Sequence, residues 1–370
     1  MSYLQNNPAI DSIKKATQIL LSGANGLLGS KIPEKLSYPA ELGFRYQGEN
    51  VSPSELAYIL SKQQGRKKQE LMVFTHGLMV DDTCWYGINF SMPGAFESNF
   101  GISTVNIYYN TGRHIWQNGR DLALALEKLY NNLPDTTLKL HMVGFSMGGL
   151  VTHSALSYAY ENNFNFINHL DKVFLIATPH RGAPLEKIAQ GLRLFLDELP
   201  EYLPIKYVGK GLKKIFQNIK IDDKTSLSPV GDTTDFFIRE LPSFYIRLPG
   251  YIVDFRSEGI LDLRHGYISE EESRQDKEGG GLKSYKKPIP ALPWVRYYAV
   301  TGSIFNLSTE DPSTLSNDGM LTSASAANIG PDDNFFFVEN NRYKRLPGLS
   351  HFVLPYSSKV YEVLSRWFKE

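Results

Sequence analysis

Short apolar runs rich in β-branched residues alternate along this chain with stretches whose apolar positions recur at helical spacing. The runs Leu71–Thr75, Ser103–Tyr109, Leu138–Gly144, Lys172–Ala177, Val295–Val300 and Asn334–Val338 read as strands. Between the second and third, Gln117–Leu133 carries Leu122, Leu124, Leu126 and Leu129 on a helical repeat that stops at Pro134. Further helices are expected over Met147–Glu161 and Ser357–Phe368. Such alternation specifies an α/β protein with a mostly parallel central sheet flanked by helices.

The alternation breaks in two places. From 184 to 293 no strand–helix unit completes itself. An amphipathic stretch, Leu185–Leu196, is followed by Pro200, Pro204 and a second basic-apolar stretch over Tyr207–Ile219. The polar run Glu270–Gly281, ending in three glycines, reads as a flexible surface loop. This region is expected to be an inserted cap between core segments 67–183 and 294–370. Residues 1–66 are expected to form an N-terminal helical extension. Within it, Ile10–Leu28 is an amphipathic stretch that either docks on the protein body or lies on a membrane surface. Pro53 after Ser52 marks the first turn of a helix through Ser61.

The strongest chemical signal is Gly144-Phe145-Ser146-Met147-Gly148-Gly149, directly after a strand and opening a helix. A serine at such a sharp strand-to-helix turn is held in strained backbone geometry with its hydroxyl exposed, and glycines on either side let neighbouring chains approach. Upstream, Val73-Phe74-Thr75-His76-Gly77-Leu78-Met79 ends another strand in a His-Gly turn. In hydrolases of this strand–elbow–helix type, that loop and the residue after the nucleophile supply the oxyanion donors, here the backbone N–H groups of Leu78 and Met147. His76 itself reads as structural.

A serine nucleophile needs a base, and the base an orienting acid, in the chain order serine, acid, histidine. Of the eight histidines, His153 and His169 lie in or just after the nucleophile helix and are poorly placed to turn back on Ser146. His351, after the last strand and before the terminal helix, stands where the base belongs. Asp318, at a turn made with Gly319, is the acid, with Asp311, Asp332 and Asp333 as rivals that read more simply as turn residues. Trp85 and Tyr86 either line an acyl pocket or pack in the core. His180, in Thr178-Pro179-His180-Arg181-Gly182, either touches substrate or braces the base of the cap. Asp262-Leu263-Arg264-His265 reads as an internal ion pair within the cap.

Composition narrows the choice of partner. Lys plus Arg and Asp plus Glu both number 39, so no basic excess exists to neutralise nucleic-acid phosphates. The single cysteine, Cys84, excludes an internal disulfide, fits a reducing compartment and reads as a small apolar residue. Met1–Ile10 lacks the basic start and apolar run of a signal peptide, and no apolar run is long enough for a membrane span. A cytoplasmic location is therefore expected. No paired Cys/His spacing, no H-E-x-x-H and no glycine-rich phosphate loop occur, and Asp222-Asp223 stand without partner ligands. Neither metal nor cofactor is expected.

These motifs resemble the lipase-like α/β-hydrolases, which include bacterial triacylglycerol lipases and GPI inositol-deacylase-like proteins. The resemblance runs from about Leu71 to the C-terminus. It rests on His76-Gly77-Leu78, the Gly144–Gly148 elbow, Ala177-Thr178-Pro179-His180-Arg181-Gly182, Asn317-Asp318-Gly319 and the late His351. A closer likeness, to poorly characterised bacterial esterase-like proteins, rests on Tyr109-Asn110-Thr111-Gly112-Arg113-His114, Asn118-Gly119-Arg120 and Gly259–Gly266. The resemblance implies an α/β-hydrolase fold and hydrolysis of small-molecule or lipid esters through a covalent acyl-serine, with Ser146, Asp318 and His351 as the triad. It departs from secreted lipases in that Phe352-Val353-Leu354, not a calcium-binding aspartate, follows His351. An acyltransferase using the same residues, or a binding protein on the same fold, is the alternative.

Overall fold

The computed structural model describes residues 41–63, 70–133, 138–183, 257–277, 292–304 and 342–370, together with Ser22, Gly23, Gly26, Asp318, Leu321 and Ser325. Strands β3 (Glu70–Thr75), β4 (Ser103–Tyr108), β5 (Lys139–Phe145), β6 (Leu170–Ile176) and β7 (Arg296–Ser303) fall within two or three residues of five of the runs read from the sequence. They lie parallel in the spatial order β4-β3-β5-β6-β7. Their side chains are buried almost without a break, because helices cover both faces of a parallel sheet and leave no polar side.

Both edges of the sheet differ from expectation. At one edge, β1 (Gly43–Tyr46) pairs antiparallel with β4 and with β2 (Glu49–Val51), so the core begins well before residue 67 and the first 66 residues are not solely helical. The hairpin turns at Gln47 and Gly48, both at positive φ (50° and 86°), the twist-matched turn that two-residue hairpins favour. Gln-Gly is a weaker turn signal than Asn-Gly, and the strands are short, so the local pattern did not reveal them. At the other edge, β8 (Tyr343–Pro347) pairs parallel with β7. Its Lys344 and Arg345 interrupt any apolar run, as suits a half-exposed edge strand. The strand expected at Asn334–Val338 lies outside the described residues.

Helix α1 (Pro53–Lys62) begins where Ser52 and Pro53 signal a start. Ser52 Oγ accepts from the Glu55 N–H at 3.2 Å, and the Ser52 N–H donates to Glu55 Oε2 at 2.7 Å, closing a capping box. Helices α2 (Met92–Phe100), α3 (Ile115–Asn131), α4 (Met147–Glu161) and α7 (Ser358–Lys369) complete the layers around the sheet. Leu122, Leu126 and Leu129 of α3 are buried, while Leu124 turns to solvent. Gly119 lets α3 approach α4, since a Cβ there would collide with Ser154.

Within the region expected as a cap, α5 (Glu258–His265) and α6 (Glu270–Lys277) are described; residues 184–256 and 278–291 lie outside the described residues. The run expected as a loop from Glu270 is helical over its first eight residues. Its start is a second capping box, with the Glu272 N–H donating to Ser269 Oγ and the Ser269 N–H to Glu272 Oε2. The run's polarity masked the cap: α6 has no apolar face for periodicity to detect. The ion pair expected of Asp262 within the cap is made instead to the start of α3. Asp262 Oδ2 accepts from His114 Nδ1 at 3.0 Å and from the Ile115 N–H at 2.9 Å, capping α3, while Oδ1 accepts from Ser273 Oγ.

Candidate functional site

Ser146 stands between β5 and α4 with φ 52° and ψ −124°, a left-handed backbone that a β-carbon disfavours by about 1–3 kcal/mol. Packing holds it there. The Ser146 N–H donates to Ile176 O on β6 at 2.8 Å. A Cβ at Gly148 would collide with the carbonyl oxygens of Thr75 and His76, so only glycine lets α4 start this close to the end of β3.

Three side chains from distant parts of the chain meet at this turn. His351 opens the 3₁₀ turn His351–Tyr356 that precedes α7. Ser146 Oγ lies 2.9 Å from His351 Nε2, and His351 Nδ1 lies 2.7 Å from Asp318 Oδ2. A carboxylate can only accept, so Nδ1 carries the proton, and Nε2 is left to accept from the serine hydroxyl. The His351 backbone N–H also donates to Asp318 O at 2.8 Å, and Asp318 Oδ1 accepts from the Leu321 N–H at 2.8 Å. Ser146, His351 and Asp318 are only 5%, 2% and 1% exposed, so their mutual bonds act in a medium of low polarity. The rivals Asp311, Asp332 and Asp333 lie outside the described residues.

The loop His76–Met79 lies against the serine: a Cβ on Gly77 would come within 3.2 Å of Ser146 Cβ. Leu78 follows in this loop, and Met147 opens α4, whose N-terminus favours negative charge. His76 is buried, stacks on Tyr109 with ring centroids 4.3 Å apart, and donates from Nδ1 to Gly77 O at 3.0 Å. Burial holds its pKa down at about 4, against weaker upward pulls from that bond and from Asp81, so the ring is neutral at pH 7.

The other two candidates, Trp85 and His180, are both buried. Trp85 is fully buried, edge-on to Phe74 at 5.0 Å and to Phe145 at 6.3 Å, and so packs beneath the elbow strand. His180 is buried with its Nε2 3.2 Å from His153 Nε2 on α4. In the same turn, Thr178 packs so tightly on Gly149 that a Cβ there would collide with it. Cys84 keeps its proton: burial first, then the charges of Asp81 and Asp82, push its pKa well above the usual thiol range. Among the described residues no group of three or more His, Cys, Asp or Glu is placed to hold a metal ion. Nor is any described helix long and apolar enough to cross a membrane.

Two residues near the loop were not recognised from sequence as part of the site. Tyr109 OH donates to His76 O at 2.6 Å, and the Met79 N–H donates to Thr111 Oγ1 at 3.2 Å. Only the resemblance drew attention to their segment. Spacing holds no signal for contacts made across neighbouring strands.

A mostly parallel sheet, a serine at a positive-φ elbow between its central strand and the next helix, and a histidine after the last strand converge on one architecture. The fold is that of the α/β-hydrolases. Residues 65–224 match the family model described as "Putative serine esterase (DUF676)". Together with the elbow serine, that match supports a serine hydrolase. Solved structures similar to this chain include the mature form of the lipase BlEst2 from Bacillus licheniformis. It is 16% identical, and the match covers 82% of this chain and 94% of that one with a TM-score of 0.44. An acetylester hydrolase from Corynebacterium glutamicum matches at 13% identity over 82% of this chain and 85% of that one, with a TM-score of 0.36. The epoxide hydrolase CorEH matches at 13% identity over 89% and 98%, with a TM-score of 0.38. No curated protein sequence matches the chain.

Proposed function

We propose that this protein is a serine esterase that cleaves carboxylic esters of small molecules or lipids, with Ser146 as nucleophile, His351 as general base and Asp318 as orienting acid. The observation that carries this reading is the unbroken hydrogen-bonded chain from Ser146 Oγ through both ring nitrogens of His351 to Asp318 Oδ2. Ser146 Oγ attacks the ester carbonyl carbon while His351 Nε2 takes the hydroxyl proton. The carbonyl oxygen becomes an oxyanion and rests on the N–H groups of Leu78 and Met147. Collapse of this intermediate expels the alcohol, which receives the proton from Nε2, and leaves an acyl-serine. A water then gives its proton to His351 and attacks the acyl carbon; the bond from that carbon to Ser146 Oγ breaks, the acid leaves, and Nε2 returns the proton to Oγ. Asp318 keeps the imidazole in the tautomer with Nδ1–H and stabilises its charged form throughout.

The test is hydrolysis of p-nitrophenyl esters from acetate to palmitate by the full chain and by Ser146→Ala. The serine variant is expected to lose about 10⁶-fold in kcat while remaining folded, and the chain-length optimum of the parent then describes the acyl pocket. Hydrolysis retained by Ser146→Ala, or no hydrolysis of any ester by the folded parent, would overturn the reading.

A further inference from the structure

We infer that Tyr109 and Thr111 are positioning residues that hold the loop His76–Met79 in the geometry its N–H groups need to meet an oxyanion. This rests on the esterase reading above and extends it to a segment outside the Ser146–His351–Asp318 set.

The two residues grip the loop at its two ends. Tyr109 OH donates to the carbonyl of His76 at 2.6 Å, and its ring lies flat against the His76 imidazole. Thr111 Oγ1 accepts from the N–H of Met79 at 3.2 Å. Met79 is at φ 63°, a left-handed conformation that a side chain other than glycine's takes up only where surrounding bonds enforce it. Gly77 and Leu78 lie between the two grips, with Gly77 against Ser146. Orientation of the Leu78 N–H therefore depends on where residues 76 and 79 are held.

The gripping segment is itself anchored from both sides. Asn110 Oδ1 accepts from the Gly112 N–H at 2.9 Å, and Asn118 Nδ2 of α3 donates to Asn110 O at 2.9 Å. On the other flank the Gly259 N–H donates to Gly112 O at 3.2 Å, and α5 sits so close that a Cβ at Gly259 would collide with Thr111 O. Gly26 also packs against the loop: a Cβ there would lie 2.5 Å from Met79 Cγ and 3.0 Å from Thr111 Oγ1. The run Tyr109–His114 and the glycine at 259 thus have a common purpose: they make a rigid rest for the loop beside the nucleophile. Backbone donors act on a developing oxyanion only when fixed in advance, which is the physical reason such a rest matters.

The experiment compares Thr111→Val, Thr111→Ser and Tyr109→Phe with the parent. It measures kcat and KM on p-nitrophenyl butyrate, the inhibition constant of an alkyl trifluoromethyl ketone, and thermal midpoints. Ser146 Oγ adds to that ketone's carbonyl, the C=O π bond opens to an oxyanion, and the serine proton passes to His351, so affinity reads the oxyanion donors directly. Thr111→Val and Tyr109→Phe are expected to lower kcat about tenfold to a hundredfold with KM nearly unchanged. The ketone should weaken in parallel, and Thr111→Ser, which keeps the acceptor, should restore both. Parent-like kcat and ketone affinity in folded Thr111→Val and Tyr109→Phe would overturn the inference, as would a loss that Thr111→Ser does not repair. If Thr111→Val does not fold, Tyr109→Phe decides alone. Loss of activity in Ser146→Ala beside parent-like Thr111→Val and Tyr109→Phe removes this inference only; full activity in Ser146→Ala removes the esterase reading and this inference with it.

Discussion

Ser146 and His351 lie 205 residues apart in the chain, yet each could be named from its local surroundings. Glycines around a serine between a strand and a helix, and a histidine between the last strand and the last helix, are patterns that constrain position as well as identity. Trp85 and His180 had no such constraint. An aromatic or a histidine near a strand end packs in the core or faces a cleft depending on neighbours that are remote in sequence. The side chain most open to test is Asp318. Asp318→Asn should keep the fold and lower kcat about 10⁴-fold, because the amide can present its N–H to Nδ1 and favour the wrong imidazole tautomer. Circular dichroism beside steady-state kinetics checks this, and near-parental turnover would assign the acid to another carboxylate.

Among the elements, strands β3 to β7 and helices α3, α4 and α7 were legible because burial on a sheet or helix face writes a period into the sequence. The hairpin β1–β2, the edge strand β8 and the polar helix α6 wrote none, being short, half exposed or apolar nowhere. Contacts between elements are still less visible. Lys172 on β6 is buried and donates from Nζ to Trp367 O at 2.9 Å and to Phe368 O at 2.7 Å, tying down the last carbonyls of α7. A cation at a helix C-terminus satisfies acceptors that the helix itself cannot. The same helix packs Phe368 against Phe96 and Phe100 of α2. Lys172→Met should therefore cost about 1.5–3 kcal/mol in urea denaturation, and a midpoint equal to the parent's would show that α7 docks by its aromatic contacts alone.

At the scale of the whole molecule, buried histidines among the described residues contribute to how stability responds to acid. Burial pushes the pKa of His76 down to about 4 and that of His141 to about 3, and pushes that of His153 well below its usual value. The unfolded chain binds protons on these rings near 6.5, where the folded chain does not. Their contribution is therefore complete above pH 6.5 and is lost as pH falls towards 4 for His76 and 3 for His141. Asp82 works the other way. Burial raises its carboxyl to about 6, despite the opposing pull of Arg45, so the folded chain takes up that proton first and gains stability as pH falls from 6 to 3.8. Among these four groups the three histidines outweigh the one aspartate, so the thermal midpoint should drop between pH 7 and pH 4.5; the lowered carboxyl of Asp171 adds to the loss as pH falls below its ordinary value of 3.8. His141→Gln should flatten that decline by about 1.4 kcal/mol per pH unit at most; an unchanged slope would mean that His141 is protonated in the folded chain.

Sequence alone determined the class of the fold, the elbow serine and the region of the late histidine, because each follows from short-range rules: periodicity of burial, turn chemistry and chain order. Tertiary structure decided what those rules do not reach. It brought the Asp318 carboxylate to His351, turned Asp262 from its own helix to the start of α3, buried Trp85 behind the elbow and set Tyr109 and Thr111 against the His76–Met79 loop. Each of these contacts joins residues far apart in sequence, and which partners meet depends on how whole elements pack rather than on any spacing along the chain.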